Sequence, residues 1–396
     1  MSNTILTPVA VTREALRILH QKLNFVGSIE RQYDDRYAKE GAKIGSDLKI
    51  RLPNEYSVTD GATLVTQDTV ESSVTLQVTK QKHVGLNFTS VDLTLSLDDF
   101  SKRIIEPAVT RLASAIEADA MSMYKDVYQS IWNGAAAATY NKSLDARVML
   151  QRALAPQNDR TANMDPLAMA DIVKDTKTLF NGQTEIGKQY REGFMGRAAG
   201  FDWVENTMWP AHTRGAGDGA YVVNTSTGIT SGTATITVAT GTGAMNVGDV
   251  FTVAGVFAVH SETKISTGVL QQFVVTAAFV GGGGAVSVSP TPITSGAKQN
   301  VTIVGAGAGK AVVFGGTAST AVGTSLLYQK EAFAFATADL VMPKGVDWGA
   351  REVFDGISMR IVRDYDINND QLPCRVDVLY GYKTLRPQLA VRSHNN

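Results

Sequence analysis

The chain has 396 residues, of which 44% are hydrophobic and 19% are charged, so it can bury a sizeable core in two or three domains. Its formal net charge is −1 and its basic residues are scattered among acidic ones, which argues against the basic face of a protein that reads DNA. A single cysteine, Cys374, excludes an intrachain disulfide framework and is typical of a protein that folds in a reducing cytoplasm. The N-terminus lacks a signal-peptide pattern and no apolar run is long enough to span a membrane, so we expect no membrane partner.

The N-terminal region is predicted to hold one helix followed by an irregular polar segment. Thr12 can cap a helix over residues 13–24, in which the leucines fall on one face, and Gly27 ends the pattern. Residues 28–46 carry mixed charges without periodicity.

The next segment has the alternation of β-strands. Apolar residues alternate with polar ones from Leu48 to Leu52, and again from Val74 to Phe88 with Lys80 and Lys82 on the apolar face. We interpret residues 47–88 as a long two-stranded excursion. Two strands alone bury too little surface to be stable in water. The excursion should therefore lie either on the body of its own chain or on a neighbouring subunit.

The strongest helical pattern follows. Its apolar positions step by threes and fours, and they are Ile105, Val109, Leu112, Ile116, Ala120, Met123, Val127 and Ile131. From Pro107 to Trp132 the helix would have about 26 residues and a length of about 39 Å. Pro107 belongs in its first turn, or at a kink in a longer helix. A stripe of this length suits a rigid spine against a sheet.

Residues 143–225 have the mixed pattern of an α/β region. Ser143 or Asp145 is predicted to start a helix that runs to Leu154. Asp165-Pro166 is predicted to start a second helix, and a third, short one is predicted over residues 174–180.

Composition changes sharply from about residue 226 to about residue 325, where charged side chains are few and Gly, Thr, Ser, Ala and Val dominate. Six strands are predicted there, at residues 233–238, 250–253, 273–276, 285–289, 301–304 and 311–314. Their short spacing and glycine-rich turns indicate a small antiparallel barrel or sandwich, which we interpret as an inserted domain. Beyond it, residues 357–363 and 374–380 alternate and are predicted to pair.

No motif predicts catalysis, a metal site or a cofactor. Gly305–Lys310 resembles a phosphate-binding loop, but position 304 is Val and position 311 is Ala, so the spacing fails. The five histidines lack metal-ligand spacing, and no nucleophile elbow is present. A zinc site or a hydrolase built from distant residues is the weaker alternative.

Charged residues on the extended segments are candidates for contacts between subunits, because paired charges can fix the register of two chains. The candidates are Arg36, Glu40, Arg51, Lys80 and Lys82. The alternative is an ordinary solvated surface.

Three motifs, in this order, resemble one family. Arg103-Ile-Ile-Glu-Pro107-Ala is similar to the start of its spine helix, and Gly196-Arg-Ala-Ala-Gly200-Phe201-Asp202 to the segment before its insertion. Leu379-Tyr-Gly-Tyr-Lys-Thr-Leu-Arg386-Pro387 is similar to its C-terminal motif. The family is that of the tailed-phage major capsid proteins with the Hong Kong ninety-seven type of fold, in the P-twenty-two-like branch that carries an inserted β domain.

The resemblance implies an α+β fold with a spine helix, an extended β-hairpin called the E-loop and an inserted barrel-like domain. It implies the following segments: N-terminal arm 1–36, E-loop 37–88, peripheral domain with spine 89–140, axial domain 141–225, inserted β domain 226–325, and 326–396 shared by the axial and peripheral domains.

The implied function is that of a shell subunit and not of an enzyme. The resemblance implies that the chain assembles with copies of itself into hexamers and pentamers of an icosahedral virion capsid. It also implies that assembly occurs in the host cytoplasm, with a scaffolding protein and a portal as partners. Double-stranded DNA would be enclosed without sequence-specific binding, Pro107 is a candidate hinge of the spine, and we predict no lysine–asparagine cross-link. The alternative is another β-rich phage part, such as a tail or decoration protein.

Overall fold

The computed structural model describes residues 8–31, 47–56, 58, 61–64, 66–69, 71–88, 105–133, 136–176, 195–226, 228–305, 308–346, 348–354, 356–367 and 372–395. Contacts divide the chain into two units. The first comprises Met1–Arg51, Ser73–Met121 and Phe333–Leu385, and the second comprises Leu52–Ser72, Ser122–Ala332 and Arg386–Asn396.

The helices of the first unit are α1 (Pro8–Lys22), α2 (Phe25–Ser28) and α3 (Glu106–Met121). The predicted cap at Thr12 is wrong, because α1 begins at Pro8 and Thr12 is buried within it. Proline suits the first position of a helix, since the N–H that it lacks would have no partner there.

The spine helix is shorter than predicted. The α-helix ends at Met121, a 3-10 turn covers Ser122–Asp126, and strand β4 covers Ser130–Trp132. Ile131 pairs in parallel with Ser393, so a strand partner far along the chain replaces the predicted last turn of helix. Apolar spacing alone could not show this, because Val127 and Ile131 continue the helical stripe although they lie beyond the helix.

A five-stranded sheet forms the body of the first unit. Its strands are β3 (Lys80–Phe88), β17 (Phe333–Ala338), β18 (Trp348–Phe354), β19 (Ile357–Arg363) and β20 (Leu372–Thr384). The predicted pairing of the two C-terminal strands is confirmed, with Ile361 opposite Val376. Helix α1 contacts β18 and β19, and α3 contacts β3.

The two-stranded excursion is also shorter than predicted. Strands β1 (Asp47–Arg51) and β2 (Ser73–Gln77) pair with each other, with Ile50 opposite Val74. Strand β3 instead pairs along β20, with Val84 opposite Val376, so residues 80–88 belong to the body sheet and not to the excursion. Alternation predicts a strand but not the partner with which it pairs.

A second sheet lies in the second unit. Besides β4, its strands are β5 (Arg160–Met164), β6 (Arg197–Ala198), β7 (Phe201–Glu205), β8 (His212–Thr213), β16 (Ala321–Gln329) and β21 (Ala390–Asn395). They run in the order β4-β21-β16-β5-β7-β6, and β8 also pairs with β16. At the outermost strand of the sheet, β4, the side chain of Gln272 occupies the position in which a further strand would pair. The Gln272 amide donates to the Ser130 carbonyl at 2.8 Å and accepts from the Ser130 N–H at 2.7 Å.

Two helices accompany this sheet, α4 (Tyr140–Arg152) and α5 (Pro166–Thr176). Thr139 caps α4 by accepting from the Lys142 N–H, so the helix begins a few residues before the predicted starts. The predicted start at Asp165-Pro166 is confirmed, and the Asp165 carboxylate accepts from the Leu167 N–H at 3.1 Å. The predicted third helix falls mostly outside the described residues.

All six strands predicted in the charge-poor region are present. They are β10 (Thr235–Thr240), β11 (Val250–Val259), β12 (Ser266–Val275), β13 (Gly284–Ser289), β14 (Val301–Ile303) and β15 (Val312–Phe314). Four agree with their predicted ends within about two residues, whereas β11 ends six residues later and β12 begins seven residues earlier than predicted. With β9 (Val222–Val223) they form a seven-stranded sheet. Val222 bridges to Ala311, next to β15, so the strands return on themselves as a barrel around a core that includes Phe251 and Phe273.

Candidate assembly surfaces

The excursion has an inner part that is packed on its own chain. We call β1, β2 and Val78 the arm root. Ile50, Leu76 and Val78 are buried against Leu379 and the alanines of β17. The contact is close, because a Cβ added to Gly381 would lie 2.1 Å from the Gln77 carbonyl oxygen. The arm root is therefore held by the body sheet of the first unit.

The outer part of the excursion, Leu52–Ser72, is called the arm tip. Leu52 continues the ladder with one hydrogen bond, from its N–H to the Ser72 carbonyl at 2.8 Å. Tyr56, Val58 and Leu64 are 58%, 95% and 86% exposed. Large apolar side chains at such exposure, within one short segment, make the arm tip a candidate contact surface.

The charged residues predicted at subunit contacts fall into three groups. Arg36 and Glu40 lie outside the described residues. Arg51 is exposed at the end of β1, where the arm root meets the arm tip. Lys80 and Lys82 lie on β3 and have a partner within the chain.

That partner is Asp119 of α3. Its carboxylate lies 3.0 Å from Lys82 Nζ and 3.7 Å from Lys80 Nζ, and it accepts from the Tyr380 hydroxyl at 2.7 Å. Lys82 also donates to the Ala115 carbonyl at 2.9 Å. Burial disfavours ionisation of Asp119, but the hydrogen bonds from Tyr380 and Lys82 outweigh it and hold the pKa of the carboxyl below its usual range. This cluster fastens β3 to the spine helix, and a role between subunits stays a prediction for both lysines.

The sequence of the chain matches one known protein family. Residues 29–392 match the family described as "P22 coat protein - gene protein 5". The chain belongs to this coat protein family. It is therefore a structural protein that forms the shell of a phage virion and not an enzyme, and the predicted relation to the major capsid proteins of tailed phages is confirmed.

Solved structures similar to this coat protein include chains of phage capsids. A Mycobacterium phage Che8 chain is 12% identical, with 94% of this chain and 90% of that chain covered and a TM-score of 0.48. A chain of the bacteriophage PhiM1 mature capsid is 11% identical, with coverages of 91% and 84% and a TM-score of 0.41. A chain of the satellite phage P4 procapsid, including size determination (Sid) protein, is 10% identical, with coverages of 97% and 91% and a TM-score of 0.40. No curated protein matches the chain. Because these TM-scores are below 0.5, the assignment rests on the family match.

Pro107 is exposed in the first turn of α3, at the second residue of the helix. This is the first of the two placements that the sequence predicts, and the helix does not need to kink to accommodate a proline there. Its role as a hinge of the coat protein stays a prediction.

A buried carboxylate on the spine helix has a structural role that the sequence does not predict. Glu117 is 2% exposed and accepts hydrogen bonds from the Phe25 N–H and, at 3.3 Å, from the Val26 N–H. Phe25 also packs on Phe333, with ring centroids 5.6 Å apart. Glu117 thus fastens the first turn of α2 to α3. The available signal was a charged residue inside the apolar stripe of a helix, between Ile116 and Ala120.

A second buried polar cluster involves two of the histidines. His212 Nε2 lies 3.1 Å from Asp249 Oδ1, and His212 Nδ1 lies 3.2 Å from the Tyr124 hydroxyl. Both ring nitrogens of His212 therefore have a hydrogen-bonding partner. No three His, Cys, Asp or Glu side chains of the described residues are grouped as a metal ion would require. None of the described helices combines the length and apolar character that crossing a bilayer requires.

Proposed function

We propose that the chain assembles into hexamers and pentamers of an icosahedral shell, and that the arm tip of each copy rests on a neighbouring copy. The observation that carries this proposal is the exposure of Tyr56, Val58 and Leu64 on a segment beyond the packed arm root. A contact between unlike surfaces of neighbouring copies closes into a ring when the rotation between them closes. Such contacts suit a subunit that must occupy both kinds of capsomer.

The further partners follow from family resemblance. We propose that a scaffolding protein and a portal take part in assembly, and that assembly occurs in the host cytoplasm. The single Cys374, buried and without a disulfide, is compatible with a reducing compartment. A net charge of −1 is compatible with a shell that encloses double-stranded DNA without gripping it tightly. The barrel strands are proposed to form an inserted domain, and Pro107 a hinge during shell expansion.

The test is assembly of a variant in which the arm tip is polar. We expect Val58→Asp with Leu64→Asp to leave the fold intact, because neither side chain is buried in the chain, and to abolish closed shells in cells that co-express the scaffolding protein. Negative-stain microscopy and sedimentation measure the shells, and thermal unfolding of the unassembled protein measures the fold.

Val280→Asp is the matched control, since Val280 is 90% exposed on the barrel. We expect this variant to form shells at the wild-type yield. Normal shells from the doubly substituted arm-tip variant would refute the proposed role of the arm tip.

A further inference from the structure

We propose that the second unit binds a small monovalent anion, such as chloride, at a buried site formed by Arg392, His394 and Thr324. Each of these residues is at most 1% exposed, and all three belong to the second unit. The site is internal to one subunit, so it does not depend on how copies of the chain meet in a shell.

The three residues lie together on one face of the second sheet. Thr324 of β16 is directly opposite His394 of β21, and directly paired residues of an antiparallel ladder point to the same side. Arg392 precedes His394 by two positions along β21, and so points to this side as well. Diagonal neighbours in such a ladder are about 7–8 Å apart, within reach of a long side chain. The guanidinium of Arg392 can therefore share one ligand with the Thr324 hydroxyl.

Polar atoms on this face lack partners within the chain. Among the described residues, Nε, Nη1 and Nη2 of Arg392 have no hydrogen-bond partner, and neither do Oγ1 of Thr324 and Nδ1 of His394. Buried polar groups of folded proteins are nearly always hydrogen-bonded, and a buried charge without a partner is especially unfavourable. An acceptor that is not part of the chain therefore has to serve Arg392.

The balance of buried charge favours an anion over water as this acceptor. Burial lowers the pKa of Arg392 to about 10, so its guanidinium remains charged at neutral pH. Arg214 is a second buried cation, and the field of the buried Asp249 acts on both arginines. Asp126, whose field also acts on Arg392, is exposed and so is screened by water. Two buried cations and one buried carboxylate leave a balance of +1, which a monovalent anion neutralises and a water molecule does not.

The carboxylate of Asp249 is already held by other donors. It accepts from the Gly215 N–H at 3.0 Å and from the Asn246 N–H at 2.8 Å, and its Oδ1 lies 3.1 Å from Nε2 of His212. These bonds fix its position away from the Arg392 nitrogens, to which it makes no hydrogen bond. Asp249 therefore contributes charge at a distance and leaves the donors of Arg392 to a bound ion.

Aromatic rings cover the site. Cζ of Arg392 lies 5.8 Å from the centroid of the Tyr124 ring, and the His212 and Trp132 rings lie 5.9 Å and 4.6 Å from that of His394. A ring face attracts the guanidinium but offers no oxygen atom to its N–H groups. The rings also exclude water, which strengthens the attraction between the guanidinium and an anion. Because Tyr124 belongs to the 3-10 turn after α3, the anion stabilises the contact between that turn and β21.

Exchange of the anion in the buffer tests the site. Urea unfolding of the unassembled, full-length protein is measured at fixed pH and ionic strength while chloride replaces gluconate, a much larger anion. Above the dissociation constant, we expect each tenfold increase in chloride to raise the ratio of folded to unfolded protein about tenfold, as for one site that exists only in the folded chain. Stability that does not depend on chloride would overturn the proposal.

Matched variants separate this site from a general effect of salt. Arg392→Met removes the guanidinium and should abolish the dependence on chloride, whatever its effect on stability. Arg152→Met makes the same change at an exposed position of α4 and should keep the wild-type dependence. If Arg392→Met does not fold, Thr324→Val, which removes a single donor, should raise the chloride concentration for half-saturation about tenfold. Wild-type dependence in Arg392→Met, or in Thr324→Val where that variant is used, would reject the site.

Bromide locates the ion directly. In crystals of the unassembled protein grown in bromide, we expect an anomalous peak within hydrogen-bonding distance of the Arg392 guanidinium. Peaks confined to exposed cations would mean that bromide binds only adventitiously, and they would contradict the proposal. Density beside Arg392 without an anomalous signal would identify the acceptor as water and would contradict it as well.

Discussion

The arm root and the arm tip are parts of one excursion with opposite surroundings. Ile50, Leu76 and Val78 of the root are at most 3% exposed, whereas Val58 and Leu64 of the tip are at least 86% exposed. The root supplies its apolar groups to the core of its own chain. The tip exposes similar apolar groups, and by sequence all of its charged residues are acidic.

This difference separates two kinds of stability in the coat protein. A change in the root should lower the free energy of unfolding of a single subunit, because the root fills part of that subunit's core. A change in the tip should leave the single subunit unaffected and act only on assembly. The sharpest experiments therefore measure both quantities on the same variant.

The largest expected effect is that of Leu76→Ala in the arm root. We expect a loss of about 2–5 kcal/mol in the free energy of unfolding, because the substitution leaves a cavity against β17 and β20. Denaturant unfolding of the unassembled protein measures it. Leu64→Ala in the arm tip is the matched variant and should change this free energy by less than about 0.5 kcal/mol. Equal losses in the two variants would break the comparison.

A smaller effect is expected at Glu117, which binds the first turn of α2 to α3. Glu117→Ala leaves two buried N–H groups without their acceptor, at a cost of about 1–3 kcal/mol. Glu117→Gln keeps one oxygen acceptor and should lose less. Hydrogen exchange of the Phe25 and Val26 amides reports the release directly, and unchanged protection in Glu117→Ala would contradict this role.

The smallest effect is a dependence on pH from a buried group of the second unit. Burial, with Arg392 and His212 nearby, holds the pKa of His394 well below 6.5. Below pH 6.5 the unfolded chain therefore binds a proton that the folded chain does not, so stability falls as the pH falls. The slope from this group is at most about 1.4 kcal/mol per pH unit.

The control for this dependence is a matched pair of histidine variants. His394→Asn should flatten the decline in stability below pH 6.5, whereas His83→Asn, at an exposed position, should not. An identical decline in His394→Asn and the wild type would show that other groups cause it.

The sequence predicts elements better than it predicts their partners. The six barrel strands were predictable because glycine-rich turns separate short runs of β-branched residues. Strand β3 was also predicted, but its partner, β20, lies almost 300 residues further along the chain. Alternation of apolar residues does not indicate with which distant strand a strand pairs. The end of the spine was missed for the same reason, since Ile131 pairs with Ser393.

The candidate site shows the same limit. Lys80 and Lys82 stood out as charges on an apolar face, and the structure supplies Asp119 as the partner that explains them. Arg351 and Arg360 lie opposite each other on β18 and β19, and Arg375 lies opposite Val362 on β20, so which of these side chains come together depends on the register between three strands. A surface that arises from register becomes visible only after the strands are paired.

The side-chain amide of Gln272 affects how β4, an edge strand, can interact with other chains. A strand at the border of a sheet invites a foreign strand to add to it, and such additions lead to aggregates. Here one side chain satisfies both backbone groups of Ser130, so that border is already closed at this residue. We therefore expect strand addition at β4, and the aggregation that begins with it, to be disfavoured when subunits are crowded.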